Sequence, residues 1–238
     1  MFRNRGLQRI LFTVILILSL APPAFAAAEV QKALSTVGAP LSTKTVSFGS
    51  NVTGGNRAVC VAVFGASEPD LADLSCSDAT NGTYTDDVVN SDAFTTTFIA
   101  SKCGVTGGFT DVTFTNTGTT GNGYVSVYEV SGTGCSTAQT GSQDNTSDTN
   151  HECASSGLSG TGAAFCGCQL GTGNAPAAAG SWTEYASGDD SRFFQYQYGT
   201  LSSDQGPFTT TAADSGAAAM VFYPDEGNGA RLLLGVGE

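Results

Sequence analysis

The sequence predicts an all-β protein, a two-sheet antiparallel β-sandwich of jelly-roll or immunoglobulin-like type. Thr, Val, Tyr and Phe recur in short runs of period two, and Gly, Asn, Asp and Ser bound those runs. Helix-forming stretches are scarce. Evenly spaced short strands of this kind bury their apolar faces by stacking one sheet on another.

The first 26 residues stand apart from that pattern. Arg3, Arg5 and Arg9 precede an apolar run around Leu11 to Leu20, followed by Pro22, Pro23 and the small-residue pattern Ala24-Phe25-Ala26. This is the order of a secretory signal peptide cut after Ala26. The run is shorter than the roughly 20 residues a membrane span requires. Residues 27–50 then form an N-terminal segment with the first strand, and 51–238 form the sandwich. Cleavage would remove three of nine basic residues and none of the 21 acidic ones, so the mature chain carries a net charge of −15. Such a charge excludes nucleic acid and anionic membrane surfaces as partners, and membrane insertion of the mature chain is not expected. Charged residues are nevertheless 13% of the chain against 40% hydrophobic, the balance of a folded domain and not of a disordered acidic tail.

In chain order the expected strands are Lys44 to Phe48, Ala58 to Phe64, Asp73 to Asp78, Phe94 to Ser101, Asp111 to Asn116 and Gly123 to Val130. Gly162 to Leu170, Trp182 to Ala186, Phe193 to Tyr198, Ala217 to Tyr223 and Arg231 to Val236 follow. Ala27 to Val37 is the one stretch compatible with a short helix. Val59, Val61 and Val63 alternate with Ala58, Cys60, Ala62 and Phe64, so both faces of this strand are apolar and it is expected to be central. Val112 and Phe114 alternate with Thr113 and Thr115, which suits one wet face. Asn81-Gly82, Gly107-Gly108 and Asn122-Gly123 read as turns.

Three short motifs carry a resemblance. They are Gly55-Asn56-Arg57 leading into the strand Ala58 to Val63, the stretch Ser77-Asp78-Ala79-Thr80-Asn81-Gly82-Thr83-Tyr84-Thr85, and Val127-Tyr128-Glu129-Val130-Ser131-Gly132. Together they resemble β-sandwich modules of secreted bacterial and phage-associated proteins. The second departs from the usual pattern, with Asn81-Gly82 where Gly-Asn is common. The resemblance implies an extracellular sandwich and no catalytic residue.

Seven cysteines, Cys60, Cys76, Cys103, Cys135, Cys153, Cys166 and Cys168, all lie in the mature chain. In an oxidising compartment most of them pair, and the odd one stays free or joins a second chain. A Cys135 to Cys153 bridge would close the polar loop between them, and Cys76 to Cys103 is the second expected pair, although spacing alone does not fix connectivity. Cys166-Gly167-Cys168 has the wrong spacing for a zinc knuckle, and the sole histidine, His151, lies in another segment.

Familiar catalytic signatures are missing: there is no Gly-x-Ser-x-Gly elbow and no Walker loop. A glycosidase needs two carboxylates about 5 to 10 Å apart, for which Glu129 and Glu184, beside Trp182, are the candidates; with 21 acids in the chain, ordinary solvated surface acids are the stronger account. Asp144, Thr146, Asp148, Asn150 and Glu152 place oxygen ligands at every second position, so the segment is a candidate for a structural Ca²⁺ site, without the glycine and terminal acid of an EF-hand. A solvated loop spanning a disulfide accounts for the same residues, and no other cofactor is expected. Trp182 and Tyr185, with the nearby Asp189-Asp190 turn, are the candidates for stacking on a sugar and holding its hydroxyls. Phe194, Tyr196 and Tyr198 share a face opposite Phe193, Gln195 and Gln197, an arrangement that also suits core packing.

Three functions fit these residues. The first is a secreted, non-catalytic binding or adhesion module for a glycan or another cell-surface polymer. The second is a self-associating structural subunit of an extracellular coat or filament, joined through Ala27 to Ser50 as a donor segment and through the odd cysteine. The third is a carbohydrate-active enzyme using the carboxylate pair.

Overall fold

The computed structural model describes residues 26–35, 42–65, 73–118, 121–171, 176–185 and 192–226. Fifteen strands run through them: β1 (Ala28–Leu34), β2 (Thr43–Ser47), β3 (Arg57–Phe64), β4 (Leu74–Asp78), β5 (Gly82–Thr83), β6 (Thr85–Ser91), β7 (Thr96–Lys102), β8 (Asp111–Asn116), β9 (Gly123–Ser131), β10 (Gln139–His151), β11 (Leu158–Leu170), β12 (Ala177–Ala178), β13 (Thr183–Glu184), β14 (Arg192–Asp204) and β15 (Phe208–Pro224). All pairings are antiparallel, and the fold is an all-β sandwich. The expected strand Arg231 to Val236 and the expected signal peptide up to residue 25 lie outside the described residues.

The strands form three sheets. The middle sheet has the order β1-β9-β3-β7-β6; one neighbour is β2-β8-β4-β5 and the other β10-β15-β11-β14-β13, with β12 attached to β15. The third layer follows from β3, whose every residue is buried. Ala58, Cys60, Ala62 and Phe64 pack with Val46, Val112 and Phe114 of the small sheet, while Val59, Val61 and Val63 pack with Phe165, Phe194 and Val221 of the large one. A strand apolar on both faces needs cover on both, and here each cover is a separate sheet. On β8, Val112 and Phe114 are fully buried and Thr113 is half-buried, its hydroxyl 2.9 Å from that of Thr45 at the solvent face.

Two contacts fix how closely the middle and large sheets approach. A Cβ added at Gly167 would stand 2.9 Å from methyl carbons of both Val61 and Val63, so only a residue without a side chain fits there. Thr97 Oγ1 donates to the Ala217 carbonyl at 2.9 Å across the same gap. A further core covers the outer face of the large sheet, where Cys166, Cys168, Phe193, Phe208 and Met220 lie under Cys153, Ala154, Leu158 and Trp182.

The cysteine pairing differs from the expectation. The bridges are Cys60 to Cys76, Cys103 to Cys135 and Cys153 to Cys166, with Cys168 free. Cys60 faces the small sheet from β3 and meets Cys76 on β4, so this bridge ties two layers together and leaves Cys76 unable to reach Cys103. Cys135 instead closes the loops after β7 and β9, and Cys153 pins the segment after β10 onto β11. Cys168 is completely buried and burial raises its thiol pKa, so it is not available to join a second chain.

The segment compatible with a helix is strand β1, an edge strand paired with β9. Its polar alternation, with no fully buried residue, suits an edge. β10, read from sequence as a loop, is a thirteen-residue edge strand paired along β15. Its backbone hydrogen bonds, not an apolar pattern, hold it in place.

Candidate functional site

The acidic stretch and the outer core meet at one place. A groove of about 310 Å³ runs between the stretch from Gln143 on β10 to Glu152 just past its end and the wall formed by Ala179, Pro207, Phe208 and Thr209. The register of β10 on β15 slips between Asn145 and Asp148 and again between Asp148 and Asn150. Such bulges bend an edge strand and re-aim its side chains. Asn145 closes the bend, donating through Nδ2 to the Glu152 carbonyl at 3.0 Å and accepting the Glu152 amide at 3.1 Å. Its Asn-x-Ser sequon is thus committed to the fold.

Each acid here has its own protein donor. Asp144 Oδ1 accepts from Asn90 Nδ2 at 2.9 Å and Glu152 Oε2 from Gln205 Nε2 at 2.7 Å. Asp148 Oδ1 accepts the amides of Thr149 and Asn150 at 2.6 and 3.3 Å, and these bonds hold its carboxyl below the usual range. The four residues expected to ligate Ca²⁺, Asp144, Asp148, Asn150 and Glu152, all line this groove along the bent strand and its end. Among the described residues no group of three or more His, Cys, Asp or Glu is placed to hold a metal ion.

His151 forms part of the lining, stacked on Phe208 with ring centroids 5.0 Å apart and Nε2 3.0 Å from Thr210 Oγ1. Burial lowers its pKa below the ordinary 6.5, against smaller upward effects of Asp148 and Asp214. The groove therefore has a polar, acidic wall on β10 and a mainly apolar wall from Ala179 to Phe208. The polar wall was visible in the sequence; the apolar wall was not, because no local pattern places Ala179, Pro207 and Phe208 beside β10.

The two aromatic candidates have other tasks. Trp182 is 6% exposed, packs in the outer core and donates Nε1–H to Asp204 Oδ1 at 3.0 Å. Tyr185 is half-buried and packs edge-on to Tyr128 at 6.0 Å. Lys32 Nζ lies 5.1 Å from its ring centroid and 4.4 Å from that of Tyr196, and also donates to the Tyr196 hydroxyl at 2.6 Å. The chain's own ammonium thus lies over the ring that a sugar was expected to meet. Asp189 and Asp190 lie outside the described residues. Phe194, Tyr196 and Tyr198 do share one face, packed toward the middle sheet.

Glu129 and Glu184 are not brought together. Glu129 shares a face of β9 with Val125 and Val127, toward the small sheet. There it accepts from Gln31 Nε2 at 2.6 Å, the Thr53 amide at 2.8 Å and Asn56 Nδ2 at 2.5 Å. Glu184 is exposed and lies opposite Gln195, whose amide bonds the Gly206 carbonyl on the outer side of the large sheet. Two stacked sheets, spaced about 10 Å apart, separate the carboxylates, too far for a catalytic pair.

The residues that carry the resemblance are structural pins. Asn56 holds Glu129, and Asp78 Oδ1 accepts the amides of Thr80 and Asn81 at 2.8 and 2.7 Å in the β4–β5 turn. Arg57 is buried with its guanidinium 4.1 Å from the Tyr223 ring centroid and Nη2 donating to the Gly134 carbonyl at 2.6 Å. Comparison of the chain with family models, with curated proteins and with solved structures finds no match.

Proposed function

We propose that the protein is an exported, non-catalytic binding module that holds a hydroxyl-rich polymer, a glycan or another cell-surface polymer, in the β10 groove. The observation that carries this reading is the pairing of two unlike walls in one open groove. Exposed Asp144, Asp148 and Asn150 can accept and donate hydrogen bonds to hydroxyls, while Ala179 and Pro207 offer apolar surface to the carbon face of a sugar ring. Three disulfides fit an oxidising, extracellular setting, and among the described residues no helix is long and apolar enough to cross a membrane.

The test is retention of the oxidised protein on a panel of insoluble polysaccharides and cell walls, with the supernatant assayed for sugar. Asn150→Ala and Asp148→Ala should each lower retention at least fivefold without changing Tm, while Thr113→Ala on the far sheet should bind as the parent does. Equal retention of all three variants removes the groove from the reading. Released sugar would favour an enzyme, and no retention together with polymers on size-exclusion chromatography would favour a structural subunit.

A further inference from the structure

We infer that the mature chain begins at Ala27 and that its free ammonium group pairs with the Asp225 carboxylate, turning a single neutral hydrogen bond of the precursor into a charge-assisted lock. Ala27 is 6% exposed and belongs to the core between the middle and large sheets, whereas Ala26 is exposed. The nitrogen of Ala27 stands 2.8 Å from Asp225 Oδ1. That carboxylate is held in place by backbone. Asp225 bridges Thr133, its amide donates to the Thr161 carbonyl at 2.8 Å, and the amides of Gly134 and Glu226 donate to the Pro224 and Gly132 carbonyls at 2.9 Å. The acceptor therefore belongs to the rigid junction where β9, β11 and β15 meet the start of β1.

In the precursor the Ala27 nitrogen is a neutral amide with one N–H. Hydrolysis of the Ala26–Ala27 peptide bond turns that same nitrogen into an ammonium bearing a full charge and three donors. A charge-assisted bond is about twice as strong as a neutral one, and at a half-enclosed site solvent and salt screen it less than at an open surface. The register is specific. A cut one residue earlier leaves an amide at Ala27 and puts the charge on exposed Ala26; a cut one residue later removes the nitrogen that Asp225 meets. Independently, Ala24-Phe25-Ala26 is the small-residue pattern that precedes such a cut. The consequence is that part of the stability of the fold becomes available only after processing, while the precursor in transit stays easier to unfold.

This inference rests on the export reading, and the experiment keeps the two apart. The full protein is exported, its intact mass is measured, and the Tm of the chain starting at Ala27 is compared with that of a chain starting at Ala26, each also as Asp225→Asn. A mass beginning at Ala27, a Tm lower by about 3 °C or more in the Ala26-start chain, and loss of that difference with Asp225→Asn are expected. If Asp225→Asn does not fold, the two unsubstituted chains alone decide the matter. An exported chain starting elsewhere, or equal Tm for the two starts, overturns the inference; export with residues 1–26 still attached overturns the reading on which it rests.

Discussion

Glu129 and the acids of β10 are the same functional group in opposite circumstances. Glu129 is fully buried, and its two oxygens take hydrogen bonds from β1 and from two residues of the loop before β3. Asp148 is exposed and is held by the amides of the next two residues. The first carboxylate joins segments distant in sequence, so removing it strands several donors. The second shapes only its own turn and keeps a face toward solvent. Burial and partner identity, more than the presence of a carboxylate, separate a structural acid from one available to a ligand.

Substitutions should widen or erase that contrast. Glu129→Ala leaves the Thr53 amide and the Asn56 and Gln31 side chains without their acceptor, and should cost about 4 kcal/mol in denaturant unfolding. A loss near zero would mean that water replaces the carboxylate and that the pin is dispensable. The pair Cys60→Ser and Cys76→Ser opens a bridge spanning 16 residues between two sheets and should cost about 3 kcal/mol by the same measurement. Gly167→Ala forces a methyl against Val61 and Val63, with an expected loss of about 2 kcal/mol that Val61→Ala should partly restore.

The groove should respond to pH more than to truncation. His151 has a depressed pKa in the fold, so the unfolded chain binds its proton more readily. Its contribution to stability is complete above about pH 6.5 and declines as pH falls from there toward the folded value. Melting curves from pH 8 to 5 should therefore slope downward toward acid, and His151→Gln should flatten that slope; parallel curves would place the ring's titration outside the folding equilibrium. Smallest of all, Asp148→Ala should leave Tm unchanged while reducing ligand retention.

Much of the fold was legible because two-faced burial leaves a mark in sequence. The double alternation of Ala58 to Phe64 announced a central strand, and the Val/Thr alternation of β8 announced a half-wet one. β10 left no such mark, since Gln139 to His151 is almost wholly polar and is a strand only because β15 offers it a backbone ladder. β1 was ambiguous for the same reason. At the candidate site, the acids of β10 were visible as an alternating oxygen pattern, but the bend of the strand that carries them was not, because its bulges depend on the register with β15. Trp182 drew notice as an aromatic residue near an acidic turn, and only its partner Asp204 and the core around it reveal that it packs inward.

Composition and periodicity by themselves determined an acidic, cysteine-rich, antiparallel β-sandwich, since these depend on residue type and local spacing. Tertiary structure decided the third sheet, the disulfide map, the separation of Glu129 from Glu184 and the second wall of the groove. Each of those depends on which strand lies beside or above which, and contacts between residues far apart in the chain leave no periodic trace in either segment alone.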